Sequence, residues 1–195
     1  MYDAIEDPYC YPGTTVLKNV PGITDQAALS AFEAVATAQR AEEPLPEGSL
    51  DAAHYAAIHR HLFQDVYPWA GEFRTVRINK DDSSFCYPEH IPAMLEELFT
   101  DFEEIDFFQG LSLERFASGS AKFLSDLNAI HPFREGNGRA QNVFLYLAAS
   151  QAGHSFDFAN LEAEAFLEAM VRSFHGDTAA LEGHILKLIQ YRPAS

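Results

Sequence analysis

Apolar residues recur every three or four positions along most of this 195-residue chain, and this spacing is the strongest constraint on its fold. Such repeats place the apolar side chains on one face of an α-helix. The clearest examples begin at Ile91 and at Ser112, and the second runs to Ile130. Further helices are predicted after a cap at Thr24 or Asp25, after a cap at Ser49, and over about 138–152, 161–174 and 177–190. The sequence therefore predicts a mainly α fold.

One segment departs from the helical spacing. In EFRTVRINKDDSSFCYP, the apolar residues Phe73, Val76 and Ile78 do not recur at helical intervals. The run DDSS that follows is rich in turn-forming residues and lies between two extended arms. We therefore predict one short β-hairpin over about 73–87.

Charge and apolar content exclude several classes of partner. The chain carries 13 Lys and Arg against 29 Asp and Glu, a net charge of -16, which repels nucleic acids and anionic membranes. No run of 18 apolar residues occurs, and the first residues lack the pattern of a signal peptide. We therefore expect a cytoplasmic protein with no bulk nucleic-acid or membrane binding.

The run HPFREGNGRAQN, residues 131–142, joins two predicted helices and concentrates polar groups. Gly136, Asn137 and Gly138 can turn successive backbone N–H groups towards one anion beside a helix amino terminus, with Asn137 suited to a left-handed turn. Arg139, one position into the helix, can extend a guanidinium group to the same anion. These residues predict a phosphate site.

Two further residues of this run suggest chemistry at that phosphate. Glu135 is a candidate ligand for Mg²⁺, which commonly bridges a carboxylate and phosphate oxygens. His131 can accept a proton near neutral pH. The run supplies no nucleophile, so an outside hydroxyl is expected to attack. The other histidines, including His54, His59 and His61, are predicted to be core or surface residues rather than metal ligands.

These letters resemble the signature of the Fic (filamentation induced by cAMP) family, written H-x-F-x-[DE]-G-N-G-R-x-x-R. Every fixed position from His131 to Arg139 matches. The segments DPYCYPGTTVLKN, IHRHLFQDVYPWAGEFRTVRI and GDTAALEGHI also resemble toxin-like bacterial Fic proteins. The resemblance implies a single Fic domain over 1–195, a helical bundle with an amino-terminal extension (1–22), a hairpin flap and the motif loop (131–142).

The resemblance also implies an activity, the transfer of AMP from ATP to a Tyr, Ser or Thr hydroxyl of a target protein. His131 would deprotonate that hydroxyl and Glu135 would hold Mg²⁺. Residues 136–138 would bind the phosphates, and Arg139 would stabilise the leaving pyrophosphate. In the flap, Ile78, Asn79 and Lys80 would align the target backbone, and Lys80 is also a candidate nucleotide contact.

Asn142 is the one departure from the signature, because it stands where the family has a second arginine. That arginine steadies the γ-phosphate in the family, so its absence is expected to lower activity roughly 10²-fold. Three alternatives stay open: a weakened transferase, a domain adapted to another phosphate-containing donor, and a non-catalytic module that binds a nucleotide or a partner protein.

Regulation leaves two alternatives. The run TAALEG, Thr178–Gly183, matches the family's inhibitory pattern, whose glutamate, here Glu182, pairs with the second arginine. Asn142 removes that pairing partner. The alternative that we favour is restraint by a separate small antitoxin protein, as the toxin-like resemblance implies.

Overall fold

The structure, a computed structural model, describes residues 7–80 and 83–191. Seven helices cover most of this part of the chain, which confirms the predicted mainly α fold. Their bounds are α1 Gln26–Glu42, α2 Ala52–Phe63, α3 Ile91–Glu104, α4 Leu113–Ile130, α5 Asn137–Gln151, α6 Ala163–Phe174 and α7 Ala179–Leu188. None of these described helices combines the length and the apolar composition of a membrane span.

Helix α4 is the centre of the bundle. It packs against α3, α5, α6 and α7, while α2 packs against α1 and α5. Aromatic side chains fill much of the space between α2, α3, α4 and α5, among them Tyr55, Phe99, Phe102, Phe123 and Phe144. This packing fixes the end of α4 and the start of α5, the two helix termini that carry the motif loop.

Local capping explains where several helices begin. Asp25 caps α1 by accepting a hydrogen bond from the backbone N–H of Ala28 at 2.8 Å, as predicted, and Ser112 caps α4. The predicted Ser49 cap is wrong, because Asp51 accepts from the N–H of His54 at 2.7 Å and α2 begins after it. Both residue types cap helices well, and the spacing of apolar residues could not choose between them.

Two small antiparallel sheets complete the fold. The predicted hairpin consists of β1, Asn79–Lys80, paired with β2, Ser83–Ser84. A second pair, β3 His154–Phe156 with β4 Ile189–Tyr191, was not predicted. The last helix was expected to reach about residue 190, but it ends at Leu188 and the chain turns into β4. Apolar Ile189 follows the helical stripe of α7, so the spacing could not reveal this change.

Candidate active site

His131 lies at the carboxyl end of α4, in a left-handed backbone conformation (φ 48°, ψ 62°) that costs a non-glycine residue roughly 1 kcal/mol. Its ring stacks on Phe85 of the flap, with 4.0 Å between centroids. Its Nδ1 lies 3.3 Å from Oδ1 of Asn128, one turn earlier on α4. A proton on Nδ1 can be donated to this carboxamide oxygen, and in that tautomer Nε2 is the proton acceptor.

The motif loop is held in shape by Asn137, the first residue of α5. Its Oδ1 accepts from the N–H of Phe133 at 2.9 Å, and its Nδ2 donates to the carbonyl of the same residue at 2.8 Å. Asn137 therefore acts as a clamp within the loop and does not take the left-handed turn suggested from the sequence. Gly136 takes that conformation instead, with φ 83°. Phe133 is fully buried and anchors the loop in the core.

Glu135 lies just before this turn and remains about half exposed. Its Oε1 accepts a hydrogen bond from the N–H of Gly136 at 2.9 Å, and Nη2 of Arg139 lies 3.7 Å from the same oxygen. The carboxylate thus occupies the first N–H of the predicted phosphate site. The next two N–H groups, those of Asn137 and Gly138, belong to the first turn of α5, where the helix supplies no intrahelical acceptor.

The shortest contacts of Arg139 are made with residues of α1 and α2. It forms an ion pair with Glu33 on α1, its Nη1 lies 3.4 Å from Oγ1 of Thr37, and its guanidinium carbon lies 4.6 Å from the centre of the Phe63 ring. The hydroxyl of Tyr67 donates to the same Glu33 carboxylate. The structure therefore places Arg139 at the α1–α5 contact, and its role with nucleotide stays a prediction.

A cavity of about 750 Å³ brings most of the predicted residues together. This volume lies in the usual range for small-molecule sites. Of the residues predicted from the sequence, it is lined by His131, Glu135, Gly136, Asn137, Gly138, Asn142 and Ile78. Apolar lining comes from residues 161–174, including Phe166 and Met170 of α6. The cavity can therefore offer a ligand both polar groups and an apolar surface.

The flap reaches this cavity through Arg77, Ile78 and Phe85. The backbone of Asn79 and Lys80 pairs with β2, but their side chains and the whole of Asp81 and Asp82 lie outside the described part of the structure. The predicted contact of Lys80 with nucleotide therefore stays a prediction.

Three features around the motif loop were not predicted. His59, fully buried, donates from Nε2 to the carbonyl of Glu135 and accepts from the N–H of Gly71, each at 2.9 Å. Burial lowers the pKa of His59 to about 4, so the ring is neutral near pH 7. Arg134 pairs with Asp7 at 2.7 Å at the cavity wall. Gln141, in contrast, is buried beside the cavity, and its Nε2 has no hydrogen-bond partner among the described residues.

Of these features only Gln141 left a signal in the sequence, because it lies within the motif run, although no fixed signature position marks it. The contact of His59 with the loop crosses 76 positions, and no local spacing indicates it. Arg134 and Asp7 are 127 positions apart, so their pairing was equally invisible.

The fold and the cavity define a helical protein in which a histidine and a helix amino terminus face the same space. The chain belongs to the Fic/DOC family, whose model matches residues 49–149. "Probable protein adenylyltransferase y4lH" of Sinorhizobium fredii is 50% identical over 189 residues, which cover 96% of this chain and 98% of that protein. "Protein adenylyltransferase VbhT" of Bartonella schoenbuchensis is 34% identical over 181 residues, 91% of this chain and 38% of that protein.

Solved structures agree with this assignment. The BepC protein from Bartonella tribocorum, with bound AMPPNP, superposes with a TM-score of 0.84 at 27% identity and covers 94% of this chain and 97% of that chain. The amino-terminal Fic domain of a VirB-translocated Bep effector protein from Bartonella quintana, with bound ADP, gives 0.85 at 28% identity and covers 95% of both chains. The family predicted from the sequence is confirmed.

Proposed function

We propose that this protein transfers AMP from ATP to a Tyr, Ser or Thr hydroxyl of a target protein. The enzyme class, a Fic-type protein adenylyltransferase, is the one that its relatives carry in their names. Nucleotide binding is supported by the similar structures that hold AMPPNP and ADP. The observation that carries the proposal is the shared cavity of His131 and the first turn of α5.

The reaction requires a proton acceptor beside the α-phosphorus. In our proposal Nε2 of His131 takes the proton of the target hydroxyl as its oxygen bonds to that phosphorus, and the bond from phosphorus to the bridging oxygen of pyrophosphate breaks. Asn128 holds the ring by accepting from Nδ1, and the stacked Phe85 ring limits its rotation. The backbone N–H groups at the start of α5 stabilise the phosphate charge.

Glu135 fits the role of Mg²⁺ ligand. It is an accessible carboxylate on the cavity wall, beside the amino terminus of α5. Among the described residues no group of three potential metal ligands converges, so one carboxylate would have to act together with phosphate oxygens and water. Mg²⁺ is commonly bound in this way, and when bound it neutralises charge on the departing pyrophosphate.

The flap is proposed to dock the target. Backbone groups of Ile78, Asn79 and Lys80 would pair with an extended segment of the target, which favours a strand-like peptide of many sequences. Ile78 lines the cavity and would bring that segment towards His131.

A second candidate function is a module that binds a nucleotide or a partner protein with little or altered catalysis. It is favoured by Asn142, which lines the cavity where the family signature has arginine, and by Arg139, which pairs with Glu33.

We also propose restraint by a separate antitoxin protein, since Glu182 lies on α7 and is not among the residues that line the cavity. The cytoplasmic location stays a prediction from the sequence.

Labelled ATP and a cell lysate test the proposed function. Wild-type protein should transfer α-phosphate label to at least one lysate protein, and His131→Ala should abolish the transfer while it still binds ATP. Transfer that survives His131→Ala would contradict the role of His131. ATP binding without transfer, in the wild type and in Asn142→Arg alike, would favour the binding module.

A further inference from the structure

Arg74 is the largest fully buried side chain in the described structure, with 2% of its surface exposed. It lies at the base of the flap, and none of the ion pairs among the described residues involves it. A buried guanidinium group is costly unless its donors are satisfied. Burial lowers the pKa of Arg74, but an arginine remains protonated in proteins.

Backbone carbonyl groups satisfy this side chain. Its Nε donates to the carbonyl of His131 at 2.8 Å, and its Nη2 donates to the carbonyl of Ile130 at 3.2 Å. From the flap, Val76 accepts from Nη1 at 2.7 Å and Cys86 accepts from Nη2 at 2.6 Å. One side chain therefore joins the end of α4 to both arms of the hairpin.

Two of these acceptors are carbonyls at the carboxyl end of α4. Such carbonyls have no intrahelical donor and carry the negative end of the helix dipole, so a cation beside them is favourable. His131 itself is held in a left-handed conformation that a non-glycine residue adopts only when its surroundings impose it. The donor to its carbonyl comes from Arg74.

The backbone adds further contacts around the same point. The N–H of Arg74 donates to the carbonyl of Pro132 at 2.8 Å, and the N–H of Cys86 donates to the carbonyl of Ala129 at 3.0 Å. The flap base and the residues on either side of His131 thus form one hydrogen-bonded unit. A target segment held by the flap would be placed relative to His131 through this unit.

We propose that Arg74 is a positioning residue, which fixes the backbone of His131 and couples it to the flap that docks the target. The proposal rests on the proposed function, because it assigns His131 as the proton acceptor. A planar group with several diverging donors is needed, since the acceptors come from three separate segments. Lysine has one charged nitrogen and cannot reproduce this arrangement.

The variant Arg74→Lys tests the proposal, with Arg115→Lys as control because Arg115 is exposed in the first turn of α4, the helix whose carboxyl end carries His131. In the label-transfer assay, kcat of Arg74→Lys should fall about 10- to 100-fold with an unchanged dissociation constant for ATP, since a small displacement of a reacting group has costs of this size. In NMR spectra, the ring signals of His131 should shift or broaden, while those of the Arg115→Lys protein stay in place.

The NMR readout separates this proposal from the proposed function, because it needs no enzymatic activity. His131 ring signals in Arg74→Lys that match the wild type would overturn the positioning role, even if stability falls. If Arg74→Lys fails to fold, amide hydrogen exchange of the wild-type protein tests the positioning role of Arg74 instead. The N–H groups of Arg74, Cys86 and His131 should then exchange as one cooperative unit, and rapid exchange at His131 with protection at Arg74 would contradict the proposal.

Discussion

Arg139 on α5 and Glu33 on α1 form an ion pair that holds the motif arginine against the outer helix. The pair is partly buried, with 13% of the Glu33 side chain and 39% of the Arg139 side chain exposed. The Tyr67 hydroxyl donates to the second oxygen of the Glu33 carboxylate. The pKa of Tyr67 is raised, mainly by burial and secondly by this carboxylate. These contacts give Arg139 a structural role that its motif position does not reveal.

We expect Arg139→Ala to lower the free energy of unfolding by about 1–2 kcal/mol, because it leaves a partly buried carboxylate short of its charged partner. A double-mutant cycle with Glu33→Gln should give a coupling energy of about 1 kcal/mol in urea unfolding. The exposed pair Arg172–Asp177 is a matched control and should show no measurable coupling. Additive effects of the Arg139 and Glu33 changes would show that the pair does not stabilise the fold.

Asn142→Arg should raise the rate of AMP transfer roughly 10²-fold, because it restores a cation to a cavity wall that now carries a neutral amide. Single-turnover label transfer measures this change, and titration with ATP should show tighter binding. Asn160→Arg adds the same charge at an exposed turn outside the cavity and serves as control. Equal rates for wild type and Asn142→Arg would mean that Asn142 does not limit transfer.

Gly136 and Gly138 flank Asn137 and should respond oppositely to alanine. At Gly136, φ is +83° and a Cβ would lie 2.3 Å from the buried Phe63 ring, so Gly136→Ala should destabilise the protein by about 2–4 kcal/mol. At Gly138 a Cβ meets nothing within 4 Å, and alanine in a helix should stabilise by up to about 1 kcal/mol. Chemical unfolding compares the two variants.

The same pair of variants also tests where phosphate binds. Gly138 lines the cavity, so its added methyl group should weaken ATP binding while stability is kept. Combining Phe63→Leu with Gly136→Ala in one protein should recover part of the stability that Gly136→Ala alone loses. A Gly136→Ala protein as stable as the wild type would contradict the close approach to Phe63.

The elements that could be predicted from the sequence are those with local causes. Helices α3 and α4 have apolar stripes over three or more turns, and the caps at Asp25 and Ser112 lie next to the helices that they start. The pair β3–β4 joins segments more than 30 positions apart through strands of three residues, too short to show alternation. Local spacing carries no information about such a pairing.

The residues of the candidate site likewise divide into those with a local signal in the sequence and those without one. His131, Glu135 and Asn142 could be named because the signature is contiguous in sequence, and the structure brings all three to one cavity. The ion pair of the Arg139 side chain could not be predicted, since its partner Glu33 lies 106 positions earlier. Arg74 donates to backbone carbonyl groups. Every residue has such a group, so the sequence does not indicate which ones Arg74 contacts.

His154 supplies a test of pH dependence away from the motif loop. It is 5% exposed, packs edge-on against Phe116, and neither ring nitrogen has a hydrogen-bond partner among the described residues. Burial lowers the pKa of His154, so the unfolded chain takes up this proton at a higher pH than the folded protein does. Its contribution to stability is therefore fully present above the unfolded pKa of about 6.5 and is lost as pH falls through that value.

We expect His154→Phe to reduce the loss of stability below pH 6.5 by up to about 1.4 kcal/mol per pH unit, the limit for one proton. At pH 7 it should be about 1 kcal/mol more stable than wild type, because two buried polar atoms are removed. Urea unfolding at pH 7, 6, 5.5 and 5 measures both effects. Part of the dependence of stability on pH should remain in His154→Phe, because burial also lowers the pKa of His59. His90→Phe is the control, since His90 is exposed. A His154→Phe protein with the wild-type slope would show that His154 takes up its proton equally in the folded and unfolded states.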